Sequence, residues 1–199
     1  PTDGMATYSR RTRIDAPLEA VWAFHGQIDG LEALTPGWMG LSVDGVVGPD
    51  GDSDPAELFE GSEITMASRP FGVAPESRWL SRIVARKADD GYRMFRDDML
   101  GGPFALWVHT HEFYGDGDET VLIDTVEYEL PAGPVGPLVD RLAVVGFEPM
   151  FRYRHRQTKQ LLERGTYPGW MPAPDETDAE VLEKSETDPE APEENEADA

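Results

Sequence analysis

The stretch Thr7–Phe24, TYSRRTRIDAPLEAVWAF, changes its periodicity midway, and that change sets the reading of the rest of the chain. Thr7–Ile14 places Thr, Tyr and Ile among polar residues, the composition of an edge strand, and it ends at Asp15-Ala16-Pro17. Asp15 followed by Pro17 and Glu19 is a helix start, because proline is tolerated in the first turn, where its missing N–H would have no partner anyway. The helix turns Leu18, Val21, Trp22 and Phe24 inward and breaks at Gly26, and a second short helix over Ile28–Leu34 stops before Pro36-Gly37.

Past that point the period falls from about 3.6 to about 2, the signature of strands. They are expected over Trp38–Val47, Gly61–Ser68, Arg78–Ala88, Tyr92–Met99, Phe104–Tyr114 and Val121–Leu130, with Ala88–Gly91 and Gly115–Asp118 as tight antiparallel links. The acidic loop Gly48–Pro55 alternates Asp50, Asp52 and Asp54, which invites calcium. However, Pro55 stands where an EF-hand loop needs Gly, and Gly61 where it needs a bidentate Glu, so it reads as a solvated turn. The last element runs from about Pro137 to Arg164, with Leu138, Leu142, Val145, Met150, Leu161 and Leu162 at helical spacing and Gly165 past its end. At about 1.5 Å per residue it reaches roughly 40 Å and has to lie along the sheet, with kinks expected at Gly146 and Pro149. The order defines an α+β helix-grip fold. It is a curved antiparallel sheet of about seven strands, with two short helices after the first strand and a long C-terminal helix over the concave face.

The chain has 199 residues, with 39 acidic side chains against 17 basic and a formal net charge of −22. Half of that charge lies in residues 172–199, which hold 12 acids and only Lys184. The reading is therefore a disordered leader over 1–6, one domain over 7–167, and an acidic disordered tail over 168–199 whose only sizeable aliphatics are Val181 and Leu182. Phosphate recognition needs clustered Lys and Arg, so nucleic acid is not an expected partner. The absence of cysteine excludes disulfides, thiolate nucleophiles and thiolate metal sites. With no long apolar run and no secretory signal, a cytoplasmic protein that does not insert into membranes is expected, as a monomer or weak homodimer. Basic residues comprise 14 Arg and 3 Lys, and an acid-rich, Lys-poor surface suits a halophilic cytoplasm, where salt screens its self-repulsion.

Two segments carry a resemblance: Thr12–Phe24 (TRIDAPLEAVWAF) and Phe95–Tyr128. In the second, Gly102-Pro103-Phe104, Trp107-Val108-His109-Thr110-His111 and Asp124-Thr125-Val126-Glu127-Tyr128 follow in order. Over about residues 7–164 the chain resembles the START-like, birch-pollen-allergen-like helix-grip superfamily, also called SRPBCC or the polyketide cyclase/dehydrase and lipid transport family. With its composition, it looks like a haloarchaeal member. The resemblance implies an internal apolar cavity between sheet and long helix for a lipid, polyketide, isoprenoid-like or other hydrophobic molecule; no cofactor is expected. Candidate ligand-binding residues are Trp79, Phe95, Trp107, His109, His111, Tyr128, Phe147 and Phe151. The alternative is a closed core, filled by these aromatics with Trp22, Trp38 and Phe113.

His109 and His111, two apart on a strand, share a face with Trp107 and Phe113. A metal would need a third ligand such as Asp97, Asp98 or Asp124, and spacing alone supplies none, so no metal is expected. As an acid/base pair Asp97-Asp98 fails, because adjacent strand residues point opposite ways; it reads as a turn-proximal ion pair. Asp124 and Tyr128 share an apolar face with Leu122, Val126 and Leu130. A buried Asp needs a donor, so an Asp124–histidine contact is the expected polar focus, and His109, His111 and Asp124 are the candidate catalytic residues. Arg152, Arg154, His155, Arg156 and Lys159 form a basic patch that could hold a ligand carboxylate or the acidic tail, and that reads first as a solvated helix face. Three readings follow: a noncatalytic carrier of a hydrophobic small molecule, a cyclase- or dehydratase-like enzyme, and a non-enzymatic interaction protein with a closed core. An apolar cavity without a polar centre would favour the first, a cavity with a buried His–Asp pair the second, and a packed core the third.

Overall fold

The computed structural model describes residues 5–131 and 136–163, with side chains of the last helix described from Gly146 onward. The elements are β1 (Ala6–Ile14), α1 (Leu18–His25), α2 (Ile28–Ala33), β2 (Leu41–Val47), β3 (Glu63–Ser68), β4 (Ser77–Asp89), β5 (Tyr92–Gly101), β6 (Leu106–Asp116), β7 (Glu119–Glu129) and α3 (Gly136–Leu162). β1 begins at Ala6, inside the expected leader; residues 1–4, the expected tail, Arg164, Gly165 and the side chains of Leu138, Leu142 and Val145 lie outside the described residues.

All strand pairs are antiparallel, in the order β1-β7-β6-β5-β4-β3-β2. The helix-grip fold expected from the sequence is the fold observed. The starts of β2, β3, β6 and β7 differ from expectation by two or three residues, and at β2 and β3 a glycine is the reason. Gly40 sits at φ 53, where a Cβ would come within 2.6 Å of the Arg69 carbonyl oxygen, so Gly37–Met39 forms a 3-10 turn and β2 starts only at Leu41. Gly61, at φ 95, likewise holds a turn ahead of β3.

Pro17 precedes α1 and Gly26 caps its end through an N–H bond to the Trp22 carbonyl. The helix buries Val21, Trp22 and Phe24 against Ile14, Phe113, Leu122 and Leu162. α3 runs as one helix through Gly146 and Pro149. It is fastened to β1 by Tyr8, whose hydroxyl donates to Glu148 Oε2 at 2.6 Å, and by Arg10, 2.6 Å from Oε1 of the same carboxylate. Beneath these contacts Tyr8, Val126, Tyr128, Phe147 and Phe151 form one apolar cluster. A third cluster, Val46, Leu58, Ile64, Met66 and Ile83, closes the far end of the sheet. Between the second and third clusters the walls separate.

Candidate functional site

That separation is a cavity of about 690 Å³ between the sheet and α3, within the range typical of small-molecule sites. Its walls are apolar: Leu34, Ile64, Met66, Trp79, Ile83, Phe95 and Met99 from one side, Phe104, Trp107, Phe147 and Phe151 from the other. The closed-core alternative is therefore corrected: the aromatics are too few to fill the space enclosed by so curved a sheet. Of the candidate ligand residues, all line the cavity except Tyr128, which is buried in the core against Phe147. Trp38 is 39% exposed at the rim, stacked on Phe71.

One polar focus interrupts the apolar wall. The strand register makes it: His109 lies opposite Asp97 on β5, and His111 lies between Phe95 on β5 and Asp124 on β7. Asp124 is buried and acts as the hub. His109 donates from Nε2–H to its Oδ1 at 2.8 Å, and His155 of α3 donates from Nε2–H to its Oδ2 at 2.5 Å. His111 Nδ1 also lies 2.8 Å from Oδ1 but is out of line for a hydrogen bond, so that contact is electrostatic. His25, at the end of α1, stands with its ring 6.5 Å from that of His111. The four histidines of the sequence thus gather around one carboxylate.

Burial alone would raise the Asp124 pKa, but the surrounding imidazoles hold it well below the usual carboxylate range. The hub is ionised. Burial pushes His111 well below the ordinary histidine value, and its ring is stacked on Phe95 at 4.0 Å. With Nε2–H committed to Asp124, His109 is left with Nδ1 toward the cavity, 4.0 Å from Asp97 Oδ2. That gap is too long for a direct hydrogen bond, yet one ligand oxygen lying off the line can touch both groups. Asp97 Oδ2 is buried without a partner, and burial pushes this carboxyl up to about 6. Asp97 is therefore a cavity residue and not the turn-proximal ion pair expected.

Asp97, His109 and His111 offer one donor atom each, all within 4.8 Å of one another, so the fold brings together a third group that spacing did not provide. The Arg154 guanidinium faces the same cavity and its charge works against a divalent cation there. The basic patch is also corrected. Arg152 pairs with Glu148 and Lys159 with Glu163 at the surface, whereas Arg154 and His155 turn inward. The signal was present in the helical period: Phe147, Phe151, His155 and Leu162 follow one face.

No family model and no curated protein matches the chain. Solved structures do. A truncated norcoclaurine synthase from Thalictrum flavum is 18% identical with a TM-score of 0.55, covering 79% of this chain and 92% of its own. A START superfamily protein from Mycobacterium smegmatis is 16% identical with a TM-score of 0.52, covering 78% and 98%. The ZhuI aromatase/cyclase from a Streptomyces species is 15% identical with a TM-score of 0.55, covering 78% and 92%. The chain shares with them the helix-grip fold of START-like proteins. Among the described residues, no helix is long and apolar enough to cross a membrane.

Proposed function

We propose that the protein binds a hydrophobic small molecule, such as a lipid, polyketide or isoprenoid-like compound, in the cavity between sheet and α3. The observation that carries this reading is the 690 Å³ apolar space whose walls are otherwise well packed. A cavity of this size and lining is expensive to keep empty, because its wall atoms forgo dispersion contacts that a ligand would restore. A thermal-shift screen of lipids, aromatic polyketides and isoprenoids on the full chain tests it. Stabilisation by at least one class is expected in the wild type and should be lost in Ser81→Trp, which fills the cavity from its β4 wall. No shift from any class would refute it.

The His109–Asp124 contact favours a second reading over passive carriage, that of a cyclase- or dehydratase-like acid/base step on the bound molecule. A base oriented from behind by a buried carboxylate, opposite a carboxyl near pH 6, is the pairing such a step needs. His109→Gln should keep ligand binding and lose turnover of a β-polyketone probe; equal turnover in both proteins would leave carriage as the function. The acidic composition supports a high-salt cytoplasm as the setting.

A further inference from the structure

Among the described residues, Arg154 is the one basic side chain on the cavity wall that carries a fixed charge. It projects from α3 near Phe147, Met150 and Phe151 and lines the same cavity as Trp79 and Phe95. Among the described residues its guanidinium makes no ion pair and no hydrogen bond, although every other arginine with a described side chain that reaches inward, such as Arg10 and Arg86, has a carboxylate partner. Asp97 and Asp124 attract it from a distance, yet burial still outweighs them and lowers its pKa. A half-buried guanidinium with five unused donors, open to an apolar cavity, is a ready partner for something planar and anionic. The nearby Asp97 Oδ2, buried and unpartnered, is a second group awaiting the same visitor, since a protonated Asp97 can donate to it.

We infer that the ligand is an apolar molecule bearing one carboxylate, and that Arg154 seats this carboxylate at the inner end of the cavity beside Asp97 and His109 Nδ1. The inference rests on the cavity-binding reading above and narrows its ligand class. The carboxylate accepts from the guanidinium fork, and the apolar body lies along Trp79, Phe95 and Trp107 toward the rim at Trp38.

Matched probes test it by titration calorimetry on the full chain: decanoate against decanol, and naphthoate against naphthylmethanol. Each acid should bind roughly tenfold to a hundredfold more tightly than its alcohol, the range expected of a charge-assisted hydrogen-bond pair. In Arg154→Gln the preference should collapse to below about threefold while alcohol affinity holds, and Arg154→Lys should restore part of it. Equal binding of acid and alcohol to the wild type would overturn the inference and leave the cavity reading standing. Binding of neither would overturn both. A preference that survives in Arg154→Gln would place the carboxylate elsewhere. The wild-type comparison needs no variant, so a failure of Arg154→Gln to fold does not shield the claim.

Discussion

Acidification probes the buried histidine cluster through His25, whose response has a calculable size. The side chain is 8% exposed, its Nδ1–H donates to the Val21 carbonyl at 2.8 Å, and its ring packs edge-on to Phe24 and Phe113. Burial pushes its pKa down from 6.5 to about 4, with the Val21 bond opposing only in part. The unfolded chain takes up this proton near pH 6.5, whereas the folded chain refuses it until about pH 4. The stability conferred by the neutral ring is therefore whole above pH 6.5 and is lost as pH falls toward 4. At about 1.4 kcal/mol per pKa unit, the loss reaches about 2.5 kcal/mol by pH 4.5, a large share of the roughly 5–15 kcal/mol that holds a domain. His25→Phe keeps a ring against Phe24 and Phe113 but has no proton to gain. Urea unfolding of both proteins at pH 7 and pH 4.5 isolates residue 25, because carboxylates that titrate in both cancel in the double difference. The stability gap should move in the variant's favour by about 2.5 kcal/mol between the two pH values. A gap that moves by less than about 0.5 kcal/mol would refute a neutral, buried His25 and with it the desolvated end of the cavity.

Three further outcomes follow from the same geometry. Asp124→Ala strips the acceptor from His109 and His155 and should cost about 3–5 kcal/mol in urea unfolding; a loss under about 1 kcal/mol would mean the hub is not the anchor of α3. Asp97 has a folded pKa of about 6, above its ordinary 3.8, so the stability its proton supplies is present at low pH and lost as pH rises through 6. Asp97→Asn should accordingly gain up to about 3 kcal/mol at pH 7 and almost nothing near pH 4, and a pH-independent effect would contradict the raised value. In that titration the groups facing Asp97 are Ser81, His109, His111, Asp124 and Arg154. With 39 acids against 17 bases, Tm should climb between low and molar salt; a flat or falling Tm would contradict a halophilic surface.

The fold was legible because local signals agreed with one another. Pro17 and Gly26 bracket α1, Asp90-Gly91 and Gly117-Asp118 close two hairpins, and each change of period, after β1, after α2 and before α3, falls at an element boundary. The Asp124–histidine contact was legible too, since a carboxylate on an apolar strand face must find a donor. What sequence could not show is which neighbouring strand supplies which group. Asp97 meets His109 only through the β5–β6 register, and His155 reaches Asp124 only because α3 crosses the sheet. In the run Arg152–Lys159 dense charge masks the helical phase, and positions 154 and 155 fall on the side that carries Phe151. Tyr128 shares its strand face with Asp124 but lies nearer the end of β7, where Phe147 covers it and shuts it off from the cavity.

Native mass spectrometry of the full chain as purified shows whether the cavity holds a hydrophobic guest. A fraction carrying the mass of a small apolar acid is expected, released on denaturation and extractable into organic solvent, and absent from Ser81→Trp. Bare protein mass throughout, with no uptake when decanoate or naphthoate is supplied, would contradict it.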